Sequence, residues 1–203
     1  AFVPEEVSVA ELRLKDADDE SMNKYKAALL GDAATGSTAL PFPADARRVV
    51  VLECAIVPEG GPPHVFDLGL PKLPSATDDG AASAAAAAPG DDGVVEIDVS
   101  DQPFPIKEGT PFTMRLSFCV QRDVCLGLKL VQAVYKSIIR VDKSVLMVGS
   151  FAPRLAPYAW TSPVDTAPSG MFARGAYTVK ATLVDDDQHT YLLFKYALEI
   201  KRK

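Results

Sequence analysis

The fold of this chain is decided by residues 141–180, VDKSVLMVGSFAPRLAPYAWTSPVDTAPSGMFARGAYTVK. An apolar strand at residues 145–148 ends at Gly149, and another strand begins at Tyr177. The connection between them carries Pro153, Pro157, Pro163 and Pro168. Because proline fixes φ and lacks an amide donor, the connection can be neither a helix nor a central strand. We therefore predict that it crosses from one β-sheet to another.

Alternating apolar and polar residues predict further strands around this segment. The clearest pattern lies at residues 112–120, where every second side chain is apolar. Similar patterns or apolar runs predict strands at 49–57, 64–70, 94–99, 129–135, 138–141, 145–148, 177–183 and 192–201. Many short strands with proline-bearing connections and no long central helix indicate a two-sheet sandwich. The predicted fold class is all-β.

The first 38 residues differ from the rest in charge and are predicted to form a helical arm. They hold eight acidic and four basic residues, which gives −4 of the net charge of −6. Ser8 and Glu11 have the spacing of a helix capping box, and a second helix is predicted from Asp18 to Gly31. Short helices with little apolar surface are marginal in water, so we expect the free arm to be partly disordered. The predicted divisions are an arm at 1–38, a linker at 39–46 and a sandwich at 47–203, with an inserted Ala-, Gly- and Asp-rich loop at 71–93.

Few residues in this chain suit catalysis or metal binding. Nucleophilic triads and most zinc sites need histidine, and the chain has only His64 and His189. Motifs of hydrolases, metalloproteases and phosphate-binding loops are absent from the sequence. The acidic run at 185–187 lacks the alternating acids and central glycine of a calcium-binding loop. We therefore predict a solvated loop at a strand end, and we favour contact with a partner over a metal site. We therefore predict no enzyme activity, no catalytic residue, no metal site and no cofactor.

Charge and cysteine usage restrict the partners and the compartment. A net charge of −6 argues against a nucleic-acid partner. Cys54, Cys119 and Cys125 form no CxxC pair, and no charged-then-apolar leader precedes them, which predicts reduced thiols and a cytoplasmic protein. No apolar run approaches the roughly 20 residues that span a bilayer, so membrane contact is expected to be indirect.

Four stretches closely resemble the carboxy-terminal domain of the Rho GDP-dissociation inhibitors. They are MVGSFAPR at 147–154, SPVDTAPSGM at 162–171, ARGAY at 173–177 and DDD at 185–187. DADDESMNKYKAALLG, residues 16–31, is similar to the family's GTPase-clamping arm. The resemblance covers about residues 5–32 and 104–203. It implies an immunoglobulin-like β-sandwich that holds the prenyl tail of a Rho-family GTPase between its sheets, while the arm packs on the GTPase switch regions.

The resemblance also implies two sets of binding residues. The prenyl pocket would be lined by Phe104, Phe112, Val124, Leu146, Phe172, Val179, Phe194 and Tyr196. The GTPase would contact Asp18, Asp19, Ser21 and Tyr25 on the arm and Asp186 and Asp187 on the sandwich. On alternation alone, the apolar members of the pocket set are core residues. Where the family usually has two tryptophans in its last strand, this chain has Phe194 and Tyr196.

The function implied is that of a monomeric Rho GDP-dissociation inhibitor. Its partners would be a GDP-bound, prenylated Rho-family small GTPase and that GTPase's geranylgeranyl or farnesyl lipid. It would inhibit GDP release and extract the GTPase from membranes. One alternative is a sandwich that solubilises prenylated or acylated cargo without clamping a GTPase, for which the arm would be dispensable. Another is an interaction module of immunoglobulin type with a filled, lipid-free core.

Overall fold

The computed structural model describes residues 40–66 and 94–202. These residues form eleven β-strands in two sheets, which confirms the predicted all-β sandwich. The predicted arm, with its residues Asp18, Asp19, Ser21 and Tyr25, and the whole of the predicted 71–93 loop lie outside the described residues. No helix that could span a membrane occurs in the described ranges.

The first sheet has five strands, ordered β2-β1-β5-β8, with β9 also paired to β5. Its strands are β1 (Val49–Pro58), β2 (His64–Val65), β5 (Pro111–Val120), β8 (Tyr158–Thr161) and β9 (Asp165–Thr166). The second sheet has six strands, ordered β3-β11-β10-β6-β7, with β4 also paired to β11. Its strands are β3 (Val95–Asp98), β4 (Phe104–Lys107), β6 (Cys125–Lys136), β7 (Ile139–Phe151), β10 (Gly175–Val184) and β11 (Thr190–Lys201).

The proline-bearing connection does cross between the sheets. Strand β7 belongs to the second sheet, β8 and β9 to the first, and β10 to the second again. The connection thus leaves one sheet, adds two short edge strands to the other and returns. Neither short strand was predicted, because each is only a few residues long and flanked by prolines. The sequence also predicts two separate strands, at 138–141 and 145–148, but the structure has the single strand β7 there. The three polar residues between the predicted strands, 142–144, pair with β6 and so belong to the same strand.

Large side chains of β5 and β6 are fully buried in the half of the sandwich where β5 finishes and β6 begins. Phe118, Leu116, Leu128 and Leu130 are fully buried there, from both sheets. Each of these side chains comes from a strand that alternates between the inner and outer face, so one face of every strand enters the core. Fully buried large side chains at facing positions close this end of the sandwich.

All three cysteines are free and buried. Burial raises the pKa of Cys54 and Cys125 to about 12 and that of Cys119 to about 11. The thiols therefore stay protonated near neutral pH and pack as small apolar groups. This agrees with the prediction of reduced cysteines.

Residues 41–47 lie against the turn between β5 and β6. The side chain of Gln121 is buried there and makes three hydrogen bonds to this segment. Its Nε2 donates to the carbonyls of Asp45 at 2.8 Å and Arg47 at 2.9 Å, and its Oε1 accepts from the amide of Phe42 at 3.1 Å. The described part of the predicted 39–46 linker is thus tied to the sandwich.

Candidate functional site

Aromatic side chains from both sheets meet between the layers. Alternation along β11 brings Phe194 and Tyr196 to the inner face, where their rings stack with centroids 4.9 Å apart. Phe66, just after β2 in the other sheet, lies 5.1 Å from the Phe194 ring and 5.2 Å from the Tyr196 ring. His64 stacks on Phe104 at 4.5 Å. The four aromatic side chains and His64 form one contiguous apolar floor.

One polar pair lies beside this floor. The amide Nε2 of Gln132 lies 3.4 Å from the hydroxyl of Tyr196 and 3.5 Å from the sulfur of Met114. Burial raises the pKa of Tyr196, so its hydroxyl stays neutral. Because a buried polar group needs a partner, Gln132 and Tyr196 stabilise each other within an otherwise apolar space.

The inner face becomes less buried toward the turn between β6 and β7. Along β6, Leu128 and Leu130 are fully buried, whereas the inward-facing Gln132 and Val134 are only partly buried. Along β5 burial falls in the same direction, from Phe118 to a partly buried Phe112. Leu146 on β7 and Trp160 on β8 also face inward and are partly buried, because each lies on an edge strand, opposite Leu130 and Leu116 respectively. The two sheets therefore leave an apolar opening toward the β6–β7 turn, which continues along the edge formed by β7 and β8.

The structure brings six of the eight predicted pocket residues together. Val179, Phe194 and Tyr196 belong to the buried core, and Phe104, Phe112 and Leu146 pack against it while partly exposed. Val124 is buried outside that cluster. Their role in binding lipid stays a prediction.

Phe172 corrects the sequence-based expectation of a core position. Its side chain is 89% exposed. It lies in a turn between β9 and β10, where the amide of Ala173 donates to the carbonyl of Gly170 at 3.0 Å. Alternation does not apply outside a strand, so the pattern could not place this side chain.

Sequence reasoning missed Phe66, Gln132 and Trp160. The alternation of HVF at 64–66 gives a weak signal for Phe66. Gln132 lies at an inward position of β6, but a polar residue there breaks the apolar pattern that marks a buried face. Trp160 lies on the unpredicted strand β8. A search for inward positions opposite known core residues would have found all three.

Asp185 anchors the acidic loop between β10 and β11. It is 0% exposed and accepts hydrogen bonds from the Tyr191 hydroxyl at 2.6 Å and the His189 amide at 2.9 Å. The guanidinium of Arg48 lies 3.6 Å from Asp185 and 3.5 Å from Asp187. Asp185, Asp187 and His189 could place ligand atoms within 4.8 Å of one another. Arg48 already supplies positive charge to both carboxylates, so the arrangement is accounted for without an ion.

Asp186 and Asp187 project from this anchored loop. The Asp186 side chain is 61% exposed and pairs with Lys129 at 3.2 Å. Gly127 packs so closely that a Cβ there would lie 1.8 Å from the Asp186 carboxylate, and its φ of +59° also favours glycine. The loop is therefore fixed by contacts with Gly127 and Lys129 of β6, and the carboxylates of Asp186 and Asp187 are exposed to solvent.

Comparison with known proteins covers the part of the chain that contains most of the inter-sheet opening and the acidic loop. The family model for RHO protein GDP dissociation inhibitors matches residues 88–203. The chain belongs to the Rho GDP-dissociation inhibitor family. Among its relatives, Rho GDP-dissociation inhibitor 1 of Homo sapiens is 31% identical over 206 residues, covering 98% of this chain and 84% of the relative. Rho GDP-dissociation inhibitor 3 of Bos taurus is 33% identical, covering 97% and 75% of the two chains. Rho GDP-dissociation inhibitor 1 of Arabidopsis thaliana is 30% identical, covering 93% and 67%.

The similarity to Rho GDP-dissociation inhibitors covers more of the chain than the sequence motifs alone. The motifs cover about residues 5–32 and 104–203, whereas the Homo sapiens alignment covers 98% of the chain. The family model itself takes in β3 to β11 and therefore most of the inter-sheet opening and the whole acidic loop.

Proposed function

We propose that this chain inhibits GDP release from a prenylated Rho-family GTPase and holds the isoprenoid tail in the opening between its sheets. The observation that carries the proposal is the partly buried inner face formed by Phe112, Val134, Leu146 and Trp160. Apolar residues that face inward and remain partly exposed gain free energy when an apolar ligand covers them. Family membership supplies the class of partner.

The energetics favour a second binding surface besides the lipid pocket. A prenyl chain of 15 to 20 carbons loses on the order of 10 kcal/mol on leaving hydrocarbon for water, at about 0.8 kcal/mol per CH₂. An apolar pocket can at best match the membrane as a solvent. Contacts with the GTPase itself must therefore supply the net free energy of extraction.

The end of the sandwich that carries the acidic loop offers such a surface. The carbonyl of Arg48 accepts a hydrogen bond from the amide of Gln121 at 2.8 Å, and its guanidinium lies beside Asp187. Residues 41–47 are tied to the same end. Residues 41–47, which follow the proposed arm in the sequence, thus lie at the end that carries Asp186 and Asp187, which supports a single GTPase contacting the arm and the acidic loop. We propose that the complex is cytosolic and that the chain acts by binding, not by catalysis.

The first prediction compares a geranylgeranylated Rho-family GTPase with its unprenylated form. Both should contact the arm and the acidic loop, but only the prenylated form fills the opening. We expect the prenylated form to bind at least about 100-fold more tightly, which corresponds to burial of only a few methylene groups. Isothermal titration with the GDP-bound proteins measures the difference. Equal affinities would show that the opening holds no lipid.

The second prediction tests the arm. Asp19→Ala should abolish inhibition of GDP release at concentrations where the prenylated GTPase is still bound, because in the proposal the arm alone reaches the switch regions. Release of a fluorescent GDP analogue reports the inhibition, and co-elution reports binding. Asp16→Ala removes another arm carboxylate and serves as the matched control. Continued inhibition by saturating Asp19→Ala protein would favour the alternative, a carrier without a GTPase clamp.

A further inference from the structure

Two loops meet at the open end of the sandwich. The Lys136 ammonium donates hydrogen bonds to the carbonyls of Phe172 and Arg174, the latter at 3.0 Å. The hydroxyl of Tyr177 donates to the carbonyl of Ala173 at 2.7 Å. These bonds hold the β9–β10 connection beside the β6–β7 turn.

The two loops expose large apolar side chains. We define the apolar tip as Ile138, Ile139, Met171 and Phe172, whose exposed fractions are 91%, 67%, 73% and 89%. Single exposed apolar residues are common on proteins, but four on two adjoining loops indicate a surface that another apolar phase covers.

The surroundings of the apolar tip are basic although the chain as a whole carries −6. The β6–β7 hairpin contributes Lys136, Arg140 and Lys143 against one carboxylate, Asp142. Lys180 adds a charge from β10, where its ammonium lies 5.5 Å from the ring of Tyr135. Among the ion pairs of residues 40–66 and 94–202, none involves Arg140, Lys143 or Lys180. Their charge is therefore directed to solvent.

We propose that the apolar tip and its basic residues dock on an anionic membrane surface. Apolar side chains flanked by Lys and Arg suit the boundary between acyl chains and anionic headgroups. A second copy of this chain would bring like charges together. The two turns also form a small, protruding surface, whereas each partner of a stable protein complex buries roughly 800 Å².

Docking in this way has a consequence for the proposed function. The apolar tip lies at the end where the inner face of the sandwich opens, so docking would bring that opening to the bilayer surface. The sequence predicts only indirect membrane contact because it contains no spanning segment, but surface docking needs none. This consequence rests on the proposed function, whereas membrane docking itself does not.

The test uses the full chain without any GTPase. Vesicles of phosphatidylcholine, with or without phosphatidylserine, are sedimented with the protein at ~0.1 M and ~0.5 M salt. We expect binding to the vesicles that contain phosphatidylserine, weakened at the higher salt. Arg140→Gln combined with Lys143→Gln should reduce partitioning by at least about tenfold, since each basic residue near an anionic surface contributes about fivefold.

A second variant tests the apolar contribution. Ile138→Ser combined with Phe172→Ser should also reduce partitioning by at least about tenfold, because several buried methyl and ring carbons are lost. Leu126→Ser is the matched control, since Leu126 is exposed on β6 at the opposite end of the sandwich. Thermal unfolding checks that these surface variants fold.

Several outcomes would overturn the proposal. They are failure to bind vesicles containing phosphatidylserine, equal binding to pure phosphatidylcholine, and equal loss of binding in the Leu126→Ser control. Concentration-dependent self-association that the Ile138→Ser, Phe172→Ser variant abolishes would assign the tip to a second copy instead. None of these results bears on whether the prenylated GTPase binds better than the unprenylated one, so the two proposals fail separately.

Discussion

Leu146→Trp is expected to weaken binding of a geranylgeranylated GTPase by about 100-fold while leaving the chain folded. Leu146 faces inward from the edge strand β7, along the open edge of the sandwich, and is only partly buried. A tryptophan there would occupy space otherwise available to about four methylene groups of the lipid, at about 0.8 kcal/mol each, or about 3 kcal/mol in all. Titration calorimetry with the prenylated, GDP-bound protein measures the loss.

Val145→Trp is the matched control for this variant. Val145 is the neighbouring residue on β7, but it points to the outer face and is largely exposed. The same large side chain is thus introduced one residue away without entering the opening. Affinity for the unprenylated GTPase should be unchanged in both variants. If Leu146→Trp and Val145→Trp bound the prenylated GTPase as tightly as the parent chain, the lipid would lie elsewhere.

Asp185→Ala is expected to lower the free energy of unfolding by about 3 to 5 kcal/mol, the usual consequence of removing one partner of a buried charge pair. The fully buried carboxylate accepts hydrogen bonds from Tyr191 and His189 and lies beside the guanidinium of Arg48. The Tyr191 hydroxyl and the His189 amide would lose the carboxylate that accepts their hydrogen bonds, and Arg48 would lose one of its carboxylate partners. Thermal and urea unfolding measure the change, and a decrease in Tm on the order of 10 °C is expected for a domain of this size.

The neighbouring Asp186→Ala is the control and should behave differently. Its side chain is exposed and makes one surface ion pair with Lys129, so stability should change by less than about 1 kcal/mol. In the proposed function Asp186 and Asp187 contact the GTPase, so Asp187→Ala should weaken binding at least about tenfold with Tm nearly unchanged. Similar unfolding curves for Asp185→Ala and Asp186→Ala would contradict the structural role assigned to Asp185.

Part of the candidate site could be predicted from the sequence because successive side chains of a strand point to opposite faces of the sheet. Period-two patterns in β5, β10 and β11 assign Phe112, Val179, Phe194 and Tyr196 to the inner face, and the structure places them there. The resemblance to the family then predicts that the acidic run at 185–187 contacts the GTPase, which stays a prediction. The same motifs could not separate the buried Asp185 from the exposed Asp186, because three identical residues differ only in what surrounds them.

The sequence by itself determined the all-β class, the crossing of the proline-bearing connection and the family, since each follows from local periodicity, fixed φ angles or motif spelling. Only the tertiary structure decided that the sheets open near the β6–β7 turn, that Phe66 joins the aromatic floor and that Phe172 lies outside. Alternation tells which face of a strand a side chain occupies. How deeply that face is buried depends on the distance to the opposite sheet, which pairings between residues far apart in the sequence set.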